Sequence, residues 1–188
     1  MLDAQFQRMI ALSLTDVGRR VSALGIKADW LTAAAAMAAV AAMLAISRDH
    51  GWIGLGCILL NRMLDGMDGA VARATRVTDR GAYLDTVSDT FLFAGVPFGF
   101  ALAGPERAVA ATFLVFGMIV LGSASWTLAE RRGVAAESNG PLFAAVVTIA
   151  YAFACLLPGW FSIVAYVLGL TAFIVAGTRV AVAVNKLS

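Results

Sequence analysis

Residues 65–89 read DGMDGAVARATRVTDRGAYLDTVSD, and four of the five aspartates in this stretch stand at helical spacing in a chain that is otherwise strongly apolar. These acids are Asp65, Asp68, Asp85 and Asp89. An ionised side chain at membrane depth costs several kcal/mol, so such residues usually face a polar cavity, a partner or an ion. Four acids in one short stretch therefore predict a cation site.

The composition of the rest of the chain is typical of a membrane protein. Of its 188 residues, 61% are hydrophobic and 14% are charged, and the mean hydropathy is +0.85. A soluble domain needs far less apolar content. We expect an all-α, polytopic integral membrane protein that forms a single domain over residues 1–188. No basic stripe interleaved with stacking aromatic residues is present, so the sequence predicts no nucleic-acid binding.

Apolar runs predict six transmembrane helices within residues 30–184, because each crossing needs about 20 residues. The predicted spans are 30–47, 51–72, 81–103, 108–128, 142–157 and 161–184. Before them, apolar and charged residues alternate at helical spacing over residues 1–24, which predicts an amphipathic helix lying at the membrane interface. Pro97 is expected to kink the third span.

The distribution of Lys and Arg predicts the orientation of the helices. With a cytoplasmic N-terminus, the inner segments carry most of the cations, whereas the outer loops carry only Arg48 and Arg107. The inner cations are Arg8, Arg19, Arg20, Lys27, Arg73, Arg76, Arg80, Arg131, Arg132, Arg179 and Lys186. This bias predicts that both termini and the acidic stretch face the cytoplasm. We expect the membrane to be a bacterial inner (cytoplasmic) membrane.

Helix geometry allows all four acids to meet. Asp65 and Asp68 are three residues apart and Asp85 and Asp89 are four apart, so each pair projects from one helix face. The two helices are antiparallel, which places the pairs at a similar depth. Oxygen ligands without His or Cys favour Mg²⁺, Mn²⁺ or Ca²⁺ over Zn²⁺ or Cu²⁺. Two divalent ions would balance the four negative charges.

The residues that follow Asp65 suggest what such ions would act on. A pair of divalent ions commonly clamps a phosphate or diphosphate. Gly66 and Gly69 would let a ligand approach the backbone, and Arg73 could offer a forked donor to phosphate oxygens. The sequence therefore indicates phosphate chemistry.

The pattern Asp65-x-x-Asp68-Gly69-x-x-Ala72-Arg73, followed by Gly81-x-x-x-Asp85-x-x-x-Asp89, closely resembles the signature of the CDP-alcohol phosphotransferases. One departure is the segment 74–80, which is shorter than is usual in that family. Another lies upstream, where Ala28 and Asp29 replace the usual Pro and Asn while Thr32 is kept. The resemblance implies an N-terminal surface helix followed by six transmembrane helices.

The resemblance also implies roles for individual residues. Asp65, Asp68 and Asp85 would hold two Mg²⁺ or Mn²⁺ ions, while Asp89 would complete the metal site and act as the base that activates the acceptor hydroxyl. The CDP group would be held by Gly69, Ala72 and Arg73, with a contribution from Thr32. In the family's usual reaction, CDP-diacylglycerol and a small polar alcohol yield a phospholipid and CMP.

The sequence does not identify the acceptor alcohol. A phosphorylated acceptor such as glycerol 3-phosphate needs additional cations, for which Arg131, Arg132 and Arg179 are candidates, although positive-inside charge also explains the first two. The segment 137–142 lacks the arginines expected for inositol phosphate. Glycerol 3-phosphate, serine and other small alcohols stay open.

Three further alternatives stay open at this point. A UbiA-type membrane prenyltransferase also binds a diphosphate through Asp-rich helices, but its two motifs lie far apart in a longer chain. A divalent-cation transporter would explain buried acids without requiring Gly69, Ala72 and Arg73. The small-residue face at Gly95 and Gly99 fits either a homodimer, as the family often forms, or a contact within one subunit.

Overall fold

A computed structural model describes residues 16, 18–132 and 141–187 of the chain. All regular structure within those residues is helical, which confirms the all-α prediction. The main helices are α1 (Ala28–Ile46), α2 (Gly51–Ala74), α3 (Asp79–Ala103), α4 (Ala108–Arg132), α5 (Pro141–Leu156) and α6 (Phe161–Leu187). Single 3₁₀ turns at Pro105–Arg107 and Pro158–Trp160 precede α4 and α6.

Only the end of the predicted interfacial helix falls within the described residues. Residues 18–23 are helical and lead into a turn at residues 24–25. Gly25 has a φ of 78°, a left-handed conformation that glycine adopts without the steric cost of a Cβ atom. The amphipathic helix over residues 1–24 otherwise lies outside the described part of the chain and stays a prediction.

Four helical segments in the described ranges are long and apolar enough to cross a membrane. They are Ala28–Ile46, Asp79–Ala103, Pro105–Ala124 and Pro158–Val182. Helix α2 carries Arg62, Asp65 and Asp68 among its apolar residues, and α5 has only 16 residues. The chain is therefore an integral membrane protein, whereas the count of six spans and their direction stay predictions.

The turn between α2 and α3 is shorter than predicted. Helix α2 continues to Ala74 and α3 begins at Asp79, so both helices extend two residues beyond the predicted limits of 72 and 81. The hydroxyl of Thr78 explains the early start, because it accepts a 3.0 Å hydrogen bond from the Gly81 N–H group, as an N-cap does. The negative charge of Asp79 also suits the first turn of a helix.

Two prolines fall within the bounds of helices. Pro141 is the first residue of α5, where a missing backbone donor costs little, so this helix begins one residue before the predicted span of 142–157. Helix α3 continues through Pro97 to Ala103. The kink at Pro97 stays a prediction.

The chain divides into two compact units. The first comprises the residues up to Ala41 together with Gly56–Leu92, and the second comprises Ala42–Leu55 together with the residues from Phe93 onward. The four candidate acids Asp65, Asp68, Asp85 and Asp89 all belong to the first unit. That the whole chain acts as one domain stays a prediction.

Close helix packing in the second unit depends on small residues. Helix α4 packs along α6, and a Cβ atom on Gly117 would lie only 2.9 Å from the carbonyl oxygen of Gly169. Leu121, Ala172 and Ala176 form a buried cluster beside that contact. Without a hydrophobic driving force in lipid, such close backbone approach is a main source of helix association.

The small-residue face of α3 also makes a contact within the chain. A Cβ atom on Gly99 would lie 2.7 Å from the carbonyl oxygen of Met43 and 3.3 Å from Cβ of Ile46, and one on Gly95 would lie 3.7 Å from Cβ of Met43. These residues all belong to the second unit. The intrasubunit explanation of the two glycines is therefore sufficient, and a homodimer stays a prediction without a contact assigned to it.

Substituting Gly99 with Ala should destabilise the second unit, because its methyl group would collide with backbone that has little freedom to move. Overpacking of this kind costs about 1–3 kcal/mol. Thermal unfolding in detergent should show a lower midpoint for Gly99→Ala. The control is Gly122→Ala on α4, where a Cβ atom meets nothing within 4 Å; an equal loss in both variants would contradict the contact assigned to Gly99.

Candidate active site

Three of the four predicted acids converge in the first unit. One carboxylate oxygen from each of Asp65, Asp68 and Asp85 lies within 4.8 Å of those from the other two. Asp65 and Asp68 come from one face of α2, and Asp85 comes from α3. This carboxylate triad supplies only hard oxygen donors, which suit Mg²⁺ or Mn²⁺.

Asp68 is oriented by a residue of α1. The Thr32 hydroxyl lies 2.6 Å from Oδ2 of Asp68 and donates to it. Both side chains are 5% exposed, so the hydrogen bond is protected from water. The hydroxyl of Ser88, on α3, lies 3.3 Å from the carbonyl oxygen of Thr32 and donates a hydrogen bond to it. Thr32 thus orients a carboxylate of the triad, and its predicted contact with the CDP group stays a prediction.

Asp89 is engaged by a cation rather than by the triad. Nη2 of Arg62 lies 2.6 Å from Oδ1 of Asp89, and Nη1 of Arg62 lies 3.6 Å from Oδ2 of Asp65. The Arg62 side chain is only 17% exposed. The guanidinium group thus connects the fourth acid to the edge of the triad.

A buried amide fixes the position of Arg62. Nε of Arg62 donates a 2.8 Å hydrogen bond to Oδ1 of Asn61, and Nδ2 of Asn61 donates a 2.8 Å hydrogen bond to the carbonyl oxygen of Ala35 on α1. Asn61 and Ala35 are fully buried. The methyl side chain of Ala35 leaves room for α2 to approach the backbone of α1.

A cavity of about 200 Å³ lies beside the triad in the first unit. Six of the predicted site residues line it, namely Thr32, Asp68, Gly69, Ala72, Arg73 and Asp85. Asp29, Arg76 and Thr78 also contribute to the lining. The cavity lining therefore combines carboxylates with guanidinium groups, which suits a metal ion together with a ligand that carries phosphate.

The local structure favours glycine at two positions of the signature, because a Cβ atom there would crowd a polar side chain. A Cβ atom on Gly69 would lie 3.1 Å from Nη1 of Arg73, so glycine there lets the guanidinium group fold back over the helix. A Cβ atom on Gly81 would lie 3.2 Å from the Thr78 hydroxyl that caps α3. Both positions are tight, and a larger residue would displace a polar group at the cavity wall.

Sequence reasoning assigned no role to Asn61, Arg62 or Ser88, all of which the structure brings into this network. The signal was present, since Asn61 and Arg62 are polar residues inside an apolar run and lie within about one helical turn of Asp65. Of the candidate acceptor cations, Arg179 lies on α6 in the second unit. The side chains of Arg131 and Arg132 and the segment 133–140 lie outside the described part of the chain.

Fold and site together define a class of protein. The chain is an integral membrane protein whose carboxylate triad contributes two members to a cavity that is also lined by arginines. Carboxylates that could hold a divalent ion, beside guanidinium donors, are suited to transferring a phosphate-linked group. Comparison with known proteins identifies the family within this class.

Residues 26–176 match the family model described as CDP-alcohol phosphatidyltransferase. The chain belongs to this family, as the resemblance of its signature predicted. It is an enzyme that transfers a phosphatidyl group from a CDP-alcohol.

The chain is also similar to individual known proteins. The inner membrane protein YnjF of Escherichia coli (strain K12) is 35% identical over 193 residues, which cover 96% of this chain and 94% of that protein. A crystal structure of Mycobacterium tuberculosis phosphatidylinositol phosphate synthase (PgsA1) with CDP-DAG bound has a TM-score of 0.73 at 20% identity, covering 90% of this chain and 92% of that one. A second PgsA1 structure, in complex with manganese and citrate, has the same score and identity over 90% and 88%. At this identity the two crystal structures support the fold.

Replacing Thr32 with Val should weaken binding of a divalent ion, because Asp68 would lose the hydrogen bond that orients it. Removing such an outer partner typically lowers metal affinity about 10–100-fold. Isothermal titration of the purified protein with Mn²⁺ would measure the change.

A matched control is Thr112→Val on α4, whose hydroxyl donates to the Ala108 carbonyl one turn earlier. Mn²⁺ affinity should be unchanged in this variant. Equal affinities for Thr32→Val and the wild type would remove Thr32 as the residue that orients Asp68.

Proposed function

We propose that this enzyme transfers the phosphatidyl group of CDP-diacylglycerol to the hydroxyl of a small polar alcohol and releases CMP. The observation that carries the proposal is the convergence of Asp65, Asp68 and Asp85 beside a cavity lined by Gly69 and Arg73. The mycobacterial synthase, which shares the fold, was crystallised with CDP-DAG bound. That complex supports a lipid-linked donor here.

The donor set fits a divalent metal ion. Three carboxylate oxygens within 4.8 Å of one another are suited to Mg²⁺ or Mn²⁺, and the fold neighbour crystallised with manganese supports this choice. When bound, such an ion neutralises the diphosphate and stabilises the charge that develops as its phosphorus-oxygen bond breaks. The sequence-based count of two ions, with Asp89 as a ligand, assumed four unpaired carboxylates. The structure pairs Asp89 with Arg62.

The remaining roles follow from the positions of the chain's own residues. Arg73 offers a planar pair of donors to diphosphate oxygens, while Gly69 and Ala72 keep the cavity wall open for the CDP group. Thr32 acts on the donor indirectly by orienting Asp68.

Asp89 is the base in this proposal. Its Oδ1 contacts Arg62, and we assign Oδ2 as the atom that takes the proton of the acceptor hydroxyl. The hydroxyl oxygen then forms a bond to the phosphorus distal to cytidine. The bond from that phosphorus to the bridging oxygen breaks, and CMP leaves with that oxygen.

The proposed setting is a bacterial inner membrane with the site and both termini on the cytoplasmic side. The Lys and Arg bias of the sequence supports this orientation. The similar protein from Escherichia coli is named an inner membrane protein. A site near the cytoplasmic surface would let a lipid donor meet a water-soluble acceptor.

The first experiment identifies the acceptor. Purified protein in detergent is supplied with CDP-diacylglycerol, Mg²⁺ or Mn²⁺, and one alcohol at a time from glycerol 3-phosphate, serine, inositol phosphate and neutral alcohols. We expect CMP and a new phospholipid with one of them, glycerol 3-phosphate being the phosphorylated acceptor that fits this compact chain. Both products should disappear when a chelator removes the metal.

The panel also tests the alternatives. Membership of the CDP-alcohol phosphatidyltransferase family favours this reaction over prenyl transfer or cation transport. Absence of CMP release with every alcohol, together with divalent-cation flux into liposomes, would overturn the proposal in favour of transport. CMP release with phosphatidic acid as the lipid product would show that water replaces the alcohol.

Replacing Asp89 with Asn should lower turnover by about 10²–10⁴-fold, the usual contribution of a positioned base. The amide is nearly the same size but does not take a proton at neutral pH. Binding of Mn²⁺ and of the CDP-linked donor should be retained, because the triad is intact. CMP release and equilibrium binding measure the two effects separately.

The control for Asp89→Asn is Asp49→Asn, which removes a carboxylate paired with Arg107 in the second unit. Asn tolerates the positive φ of 58° at that position. Turnover should match that of the wild type. If Asp89→Asn also retained full turnover, another group would have to be the base.

A further inference from the structure

The contacts of Arg62 bear on how many metal ions the site holds. Its guanidinium group lies 2.6 Å from Oδ1 of Asp89 and 3.6 Å from Oδ2 of Asp65. A second divalent ion placed between the triad and Asp89 would use oxygens of these same two carboxylates. Arg62 therefore occupies the region that the second ion would need.

Charge makes the two occupants mutually exclusive. Arginine keeps its positive charge throughout the physiological pH range. A divalent cation on Asp65 and Asp89 would lie beside that charge in a partly buried setting, where repulsion is only weakly screened. Binding there would require Arg62 to leave both of its partners.

The surroundings of Arg62 oppose such a movement. Its Nε donates to Asn61, and Asn61 is fully buried and donates to the carbonyl oxygen of Ala35. Displacing Arg62 would break its hydrogen bond to the buried Asn61 amide, and unmade buried hydrogen bonds are costly. The hydrogen bonds through Asn61 thus hold the Arg62 guanidinium group in its position beside Asp65 and Asp89.

We propose that Arg62 takes the place of a second divalent ion, so that the site binds one Mg²⁺ or Mn²⁺ ion at Asp65, Asp68 and Asp85. Arg62 is then a positioning residue that holds Asp89, which serves as the base without binding metal. This inference rests on the proposed function of the same site.

Counting bound Mn²⁺ tests the proposal without relying on turnover. Isothermal titration gives the number of ions per chain, and electron paramagnetic resonance distinguishes an isolated Mn²⁺ ion from a magnetically coupled pair. We expect one isolated ion in the wild type. In Arg62→Gln, which removes the charge, we expect two ions with the spectrum of a coupled pair.

Further variants locate the additional ion. The double variant Arg62→Gln with Asp89→Asn should return to one ion, because the freed carboxylate is lost. Arg62→Lys keeps a positive charge and should bind one ion. Arg107→Gln is the matched control, because Arg107 is 19% exposed and paired with acids in the second unit; it too should bind one ion.

Each result separates this inference from the proposed function. Two ions in the wild type would overturn the role of Arg62 and leave the metal-dependent reaction intact, a conclusion that holds even if Arg62→Gln fails to fold. One ion in both the wild type and Arg62→Gln would show that Arg62 does not set the count. No bound Mn²⁺ in the wild type would overturn the metal centre itself.

Discussion

Carboxylates inside apolar helices require partners, and in this protein the partners come from three neighbouring helical segments of one compact unit. Asp68 accepts a hydrogen bond from Thr32 on α1, and Asp89 on α3 forms an ion pair with Arg62 on α2. Leaving any of these charges unpaired would cost more than the pairing itself gains. Each polar contact therefore fixes the relative position of two helices as well as the orientation of one functional side chain.

The polar network depends on close packing against the alanines of α1. Ala35 and Ala39 have no exposed surface, and a surface of methyl groups lets a neighbouring backbone come close. Asn61 can consequently reach the carbonyl oxygen of Ala35 and anchor Arg62. The run of alanines in α1, which by its composition is simply apolar, thus determines where the Arg62 guanidinium group lies. The polar network therefore depends on the small-residue packing between α1 and α2.

Helical periodicity and an antiparallel helix pair predicted that four carboxylates would meet; three of them do, and the partner of Asp89 was not predicted. Spacings of three and four residues place Asp65 with Asp68, and Asp85 with Asp89, on single helix faces. Periodicity identifies a face, whereas membership of a cluster also depends on position along the helix axis and on side-chain rotamers. Arg62 is close to Asp65 along the chain but 27 residues from Asp89, and only tertiary packing reveals that pair. The turn at residues 75–78 was predicted too long for a similar reason, because the cap that Thr78 supplies depends on local backbone geometry.

A covalently attached cation and an exchangeable one confer different properties on an acidic site. A metal ion leaves when its concentration falls, and the carboxylates that held it then repel one another. A guanidinium group stays attached to the chain, so in this proposal Asp89 would keep its positive partner whether or not the triad holds an ion. In the proposed enzyme the four candidate acids are thereby divided: three carboxylates would be available to an exchangeable ion and the diphosphate it would neutralise, and the fourth, Asp89, would act on the acceptor. This division follows from the guanidinium group of Arg62, which pairs with Asp89 and lies beside Asp65.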